Sequence, residues 1–197
     1  ESPLTRAPAV DGMTPLVQEG TRLYLQRYWA YQSRLANQVM GRIGRMQKGL
    51  DESALQEALT RLFPVNPEVE GEDLQRKAAE LAARRGFTII TGGPGTGKTT
   101  TIKRLLALLI ERAWSRSEPT PRFALMAPTG KAAARMKESI QDEGGPKLHT
   151  MDSVREALPS DASTIHRALG YNPSQPTRFK HSAVNTARAV PRLADSE

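Results

Sequence analysis

The sequence predicts a doubly wound α/β domain built on a phosphate-binding loop, behind a smaller and mostly helical N-terminal domain. Three observations predict it. The stretch Gly92, Gly93, Pro94, Gly95, Thr96, Gly97, Lys98, Thr99 matches G-x-x-x-x-G-K-[ST] at every fixed position. An apolar, β-prone run (Phe87, Thr88, Ile89, Ile90) stands directly before it, and an apolar stripe at helical spacing (Ile102, Leu105, Leu106, Leu109) follows it. A second strand-then-helix unit comes next, at residues 123–140, and parallel strands with helical crossovers make this fold class.

The loop carries the chemistry. Its glycines let the backbone take positive φ and approach an anion without a Cβ in the way. Successive N–H groups of such a loop form an anion-binding nest, and the positive end of the following helix adds to it. Gly93, Pro94, Gly95, Thr96, Gly97, Lys98, Thr99 and Thr100 are therefore the expected phosphate cradle. Lys98 is placed to reach the β- and γ-phosphates of ATP, and the Thr99 hydroxyl to ligate Mg²⁺.

The other elements follow in order. Residues 1–13 are rich in Pro and Ala and read as loose. Two short β-prone runs flank Glu19-Gly20 and predict a hairpin over residues 16–25. Residues 26–46 become helical, with Tyr28, Tyr31, Leu35 and Val39 three or four apart. Residues 53–63 read as a second helix, capped by Asp51 or Ser53, with Leu55, Leu59 and Leu62 on one face. Pro64 and Pro67 break it, which puts a domain boundary there: residues 1–66, then residues 67–197. The large aromatics before the boundary serve either as a docking surface or as that module's own small core.

Beyond the boundary, residues 74–85 form a helix stopped by Gly86 and carrying Gln75. Residues 123–127 read as a second strand running into Pro128, Thr129, Gly130 and Lys131, with a helix over residues 132–140. Residues 141–161 read as a long irregular excursion, and residues 162–170 as a short capped helix ended by Gly170. No apolar strand ending in Asp or Glu follows residue 131, so the second magnesium-holding carboxylate of a nucleotide hydrolase is not found. Nucleotide binding without turnover is the expectation for the chain alone.

Composition narrows the class. Net charge is +7, from 28 Lys+Arg against 21 Asp+Glu, which together with the loop favours a nucleic-acid partner over an acidic one. There is no cysteine, so disulfides and thiolate chemistry are excluded. The three histidines are too far apart for a local metal motif. The longest apolar run, residues 105–110, is too short to span a bilayer, and with no signal peptide visible the expected compartment is the cytoplasm. The chain begins at Glu1 rather than Met and reads as a piece of something longer.

Three stretches resemble one family. Gln75 and its neighbours precede the loop; Pro128-Thr129-Gly130-Lys131-Ala132-Ala133 follows the second strand; Thr164-Ile165-His166-Arg167 comes last. Their order and spacing resemble the first motor domain of superfamily 1 DNA helicases of the 5′-to-3′ class. With Arg22, Tyr24, Tyr28 and Trp29 they resemble the alpha subunits of bacterial exodeoxyribonuclease V over residues 14–182. The resemblance implies a RecA-like motor domain, here incomplete at its C-terminus, with Lys98 as its catalytic lysine. It implies that Gln75 reads the adenine edge of ATP. It implies that Pro128, Thr129, Gly130, Lys131, Thr164 and His166 lie along a single-stranded DNA groove. It also implies that the N-terminal domain docks within a heterotrimer with RecB and RecC, with no membrane involved. Two readings of other classes stay open from the residues alone: a P-loop nucleotide or small-molecule kinase, and an assembly module without turnover.

Overall fold

The computed structural model describes residues 5–6, 14–47, 49–64, 73–142, 148–174 and 179. By its internal contacts the chain divides into two units, Glu1–Lys48 with Arg84–Ile89, and Gly49–Ala83 with Ile90–Glu197.

The first unit holds a three-stranded sheet, β1 (Thr5–Arg6), β2 (Leu16–Glu19) and β3 (Arg22–Leu25), then the helix α1 (Gln26–Ile43). β2 and β3 pair antiparallel, with Leu16 opposite Leu25 and Glu19 opposite Arg22. Gly20 turns the hairpin at φ 57°, a conformation that glycine adopts without a Cβ penalty. β1 runs parallel to β2. β1 falls within residues 1–13, which the sequence reads as loose. Among the unit's described residues Val17 is fully buried, whereas α1 buries none, and Leu35 and Met40 stay mostly exposed. Arg27 and Arg34 cover the rings of Tyr28 and Tyr31, 4.8 and 5.2 Å from the centroids. Residues 84–86 close against residues 45–47 through a Met46–Arg85 bridge and the Gly86 N–H to Arg45 carbonyl bond of 2.9 Å.

The second unit is mixed helix and strand. Its elements are α2 (Glu52–Leu62), α3 (Leu74–Arg84, whose last residue falls in the first unit), α4 (Lys98–Ser115), β4 (Leu125–Ala127), α5 (Gly130–Gln141), α6 (Asp152–Glu156), β5 (Ala162–Thr164) and α7 (Ile165–Leu169). Asp51 caps α2 by accepting from the Ala54 N–H at 3.1 Å. Leu55, Leu59, Leu62 and Phe63 then enter one core with Ala79 and Ala83 of α3, Ala107, Leu108 and Ile110 of α4, and Val154 of α6. That packing puts α2 with the second unit. Pro64 follows the end of α2, Pro67 lies outside the described residues, and the division between units falls before α2 rather than after it.

Two more elements differ from the sequence reading. Phe87, Thr88, Ile89 and Ile90 join no ladder among the described residues, and Ile89 is largely exposed. Ala162, Ser163 and Thr164 are strand rather than helix. They pair parallel with β4, setting Leu125 opposite Ala162 and Ala127 opposite Thr164. The parallel pair needs a crossover, which α5 and α6 supply. Of the expected excursion over residues 141–161, α6 is ordered helix and residues 143–147 lie outside the described set.

Candidate phosphate-binding site

The loop residues do what their types predict. Gly95 and Gly97 sit at φ 76° and 74°, and Gly97 is the N-cap of the 18-residue helix α4. No side chain caps that helix and no acidic residue lies in its first turn, so its N-terminal N–H groups are left for an anion. The first turn is fastened from inside by Thr101, which is buried and donates from both N–H and hydroxyl to the Gly97 carbonyl, at 2.8 and 3.0 Å. Thr96 Oγ1 closes the loop on the Gly93 carbonyl at 2.9 Å.

Lys98 lies folded along the loop. Its Nζ donates to the carbonyls of Gly92 (2.6 Å) and Gly93 (2.5 Å) and reaches Thr96 Oγ1 at 3.4 Å. The ammonium is thus at the centre of the cradle, held by neutral acceptors that a phosphate can replace. Thr99 stands on the first turn of α4, where one hydroxyl can join phosphate oxygens around Mg²⁺. Among the described residues no cluster of three His, Asp or Glu could hold a metal alone.

Gln75, on the first turn of α3, crosses to the loop and donates from Nε2 to the Thr96 carbonyl at 3.2 Å. A Cβ built on Gly97 would lie 2.4 Å from that nitrogen, so the glycine makes room for the glutamine. Asp73 caps α3, its Oδ1 accepting from the N–H groups of Gln75 (2.9 Å) and Arg76 (3.0 Å). Arg76 in turn donates to Gln56 Oε1 and Thr60 Oγ1 of α2, at 3.2 and 3.3 Å. Arg104 of α4 places its guanidinium 5.4 Å from the Phe63 centroid. Burial pushes its pKa down, and the Asp73 charge partly offsets this. Sequence reading missed Asp73, Arg76 and Arg104. An Asp two residues before Gln75 is a cap signal that could have been used, whereas the partners of Arg76 and Arg104 depend on tertiary packing.

The other predicted residues gather at the end of the parallel pair. Thr129 caps α5, accepting from the Ala132 N–H at 3.2 Å, and Thr164 caps α7, accepting from the Arg167 N–H at 3.2 Å. The register of Ala127 with Thr164 brings both caps to one sheet edge. Pro128, Gly130 and Lys131 flank the first cap and His166 follows the second. A capping hydroxyl accepts from the backbone and keeps its own proton to donate.

A glycine loop closing on the uncapped N-terminus of a long helix, with a lysine in the loop, defines a P-loop nucleotide-binding protein. The family described as an AAA domain matches residues 75–193, more than half of the sequence, and the chain belongs to it. Within it the chain is similar to RecD, a subunit of the RecBCD enzyme. It is 41% identical to RecD of Mycolicibacterium smegmatis over 168 residues, 84% of this chain and 28% of that protein. It is 35% identical to RecD of Haemophilus influenzae over 167 residues, 83% of this chain and 25% of that one. It is also 34% identical over 108 residues to the ATP-dependent RecD2 DNA helicase of Deinococcus radiodurans, 55% of this chain and 11% of that protein. The chain therefore spans about a quarter of the length of the RecD proteins it matches. None of its described helices is long and apolar enough to cross a membrane.

Proposed function

We propose that this chain is a portion of an ATP-dependent 5′-to-3′ DNA helicase subunit acting with RecB and RecC in recombination and repair in the cytoplasm. The carrying observation is the Gln75 amide bound across a glycine loop that ends on an uncapped helix. In this reading the second unit is part of a RecA-like motor. ATP enters with its phosphates over Gly93 to Thr100. Lys98 exchanges the Gly92 and Gly93 carbonyls for β/γ-phosphate oxygens, and Gln75 leaves Thr96 to read the adenine edge. Mg²⁺, held by Thr99 and the phosphates, would supply charge neutralisation at the γ-phosphoryl group. Pro128, Thr129, Gly130, Lys131, Thr164 and His166 hold a single strand by its backbone, which positions without reading sequence.

The part of the N-terminal segment, residues 1–66, that precedes α2 serves as the docking module in this reading. Its support is α1, which buries no residue and exposes Tyr28, Leu35 and Met40. Charge and apolar exposure of that kind suit a protein interface. Coexpression of the gene product carrying this chain with RecB and RecC tests both parts. The expected result is a complex that unwinds a duplex with a 5′ single-stranded tail only with MgATP. Absence of association, or unwinding that survives Lys98→Ala and begins only from 3′ tails, would overturn it.

A further inference from the structure

We infer that Tyr171 and Phe179, joined to His166, form an exposed base-stacking platform for the single strand. This rests on the single-strand reading above and adds to it residues with a different chemistry. The three rings touch one another. His166 and Tyr171 meet edge to face at 5.3 Å between centroids, His166 and Phe179 lie at 6.2 Å, and Tyr171 and Phe179 at 6.4 Å. Tyr171 and Phe179 are also bridged through the backbone, and each remains 41% exposed.

A turn sets Tyr171 against His166. Gly170 takes φ 69° after α7, and the Tyr171 N–H donates to the His166 carbonyl at 2.8 Å. This closure of a helix C-terminus normally brings an apolar pair together to shield it. Shielding the turn calls for one apolar contact. Here a third ring, from residue 179, joins the pair, and the cluster still keeps two aromatic surfaces open to solvent.

Location chooses the occupant. The rings of His166 and Tyr171 belong to α7 and the turn that ends it, and α7 starts from the Thr164 cap at the same end of the parallel pair as the Thr129 cap of α5, the helix that carries Lys131. Hydroxyls and cations that can meet phosphate, next to open aromatic faces, are the combination that binds single-stranded nucleic acid without sequence preference. The overall charge of +7 suits a polyanion. A ring already set against its neighbour by a turn loses little freedom when a base stacks on it.

The test compares oligo-dT with an abasic oligonucleotide of equal length, by fluorescence anisotropy with the full chain. A stacked base is worth about 5- to 140-fold in affinity, so the wild type binds oligo-dT at least about fivefold more tightly than the abasic strand. Tyr171→Leu with Phe179→Leu removes that preference and leaves abasic binding unchanged, with the far-ultraviolet circular dichroism of the wild type. Tyr171→Phe keeps the preference. Equal wild-type affinity for both strands overturns the platform and leaves the phosphate contacts standing. A preference that survives the double leucine variant, or is lost in Tyr171→Phe, also overturns it. Binding of neither strand overturns the single-strand reading, and the platform with it.

Discussion

Gly97→Ala puts a methyl group at the most crowded point of the phosphate cradle. Gly97 sits at φ 74°, where a residue with a Cβ is strained by about 1–3 kcal/mol. The new Cβ would also lie 2.4 Å from Gln75 Nε2 and 3.2 Å from its Cδ. The amide is the far end of a flexible side chain, so it swings aside. The loss there is its hydrogen bond to the Thr96 carbonyl, about 0.5–1.5 kcal/mol net. Together these come to about 1.5–4.5 kcal/mol. If phosphate requires the loop as it stands, nucleotide affinity falls by about one to three powers of ten. Calorimetry with MgADP reads the affinity, and thermal unfolding shows how much of the strain appears as lost stability instead. In a Gln75→Ala background the methyl displaces no amide, so the same substitution should lose about 0.5–1.5 kcal/mol less. Gly97→Ala binding MgADP within about twofold of wild type, at unchanged melting temperature, would refute the reasoning.

Two further outcomes are expected. Arg61 donates twice to Glu111, at 3.0 and 2.6 Å, and also to the His149 carbonyl, while Thr150 donates to the same carboxylate. The Glu111 hydrogen bonds hold the Arg61 pKa up. Arg61→Met strands a mostly buried carboxylate, and urea unfolding should show a loss of about 1–2 kcal/mol, whereas a loss indistinguishable from zero would make this pair a surface contact. Thr129→Ala should lose about 1 kcal/mol through the missing α5 cap, and Thr129→Asp should restore stability yet weaken single-strand binding by placing a carboxylate beside phosphate. Undiminished DNA binding by Thr129→Asp would remove Thr129 from the groove.

How much was legible in the sequence depended on which residues acted locally. The loop was readable because glycine, lysine and threonine at fixed spacing impose their own backbone and chemistry, and Gly95 and Gly97 do take positive φ. Caps such as Asp51, and the end of α7 at Gly170, were readable for the same reason. The stripe of Leu55, Leu59 and Leu62 announced a buried face, but a stripe does not say what it faces, and the packing of α2 on α3 and α4 comes from tertiary contacts. β5 was missed because Ala162, Ser163 and Thr164 form no apolar run; their ladder comes from pairing with β4. Phe87 to Ile90 had the composition of a buried strand but no ladder partner among the described residues. The glycine stop of α7 links Tyr171 to His166 locally, but no local pattern links Phe179 to either.

The central claim is that the loop of residues 92–99 is a working nucleotide site whose charge comes from Lys98. Titration of MgATP into the purified chain, wild type and Lys98→Ala, measures it directly. The wild type should bind saturably at one site, with binding weakened when magnesium is chelated and reduced at least about tenfold in Lys98→Ala, because a charge-assisted hydrogen bond to phosphate is worth about 1.5–3 kcal/mol. Absence of MgATP binding by the folded wild type, or equal binding by Lys98→Ala, would contradict it.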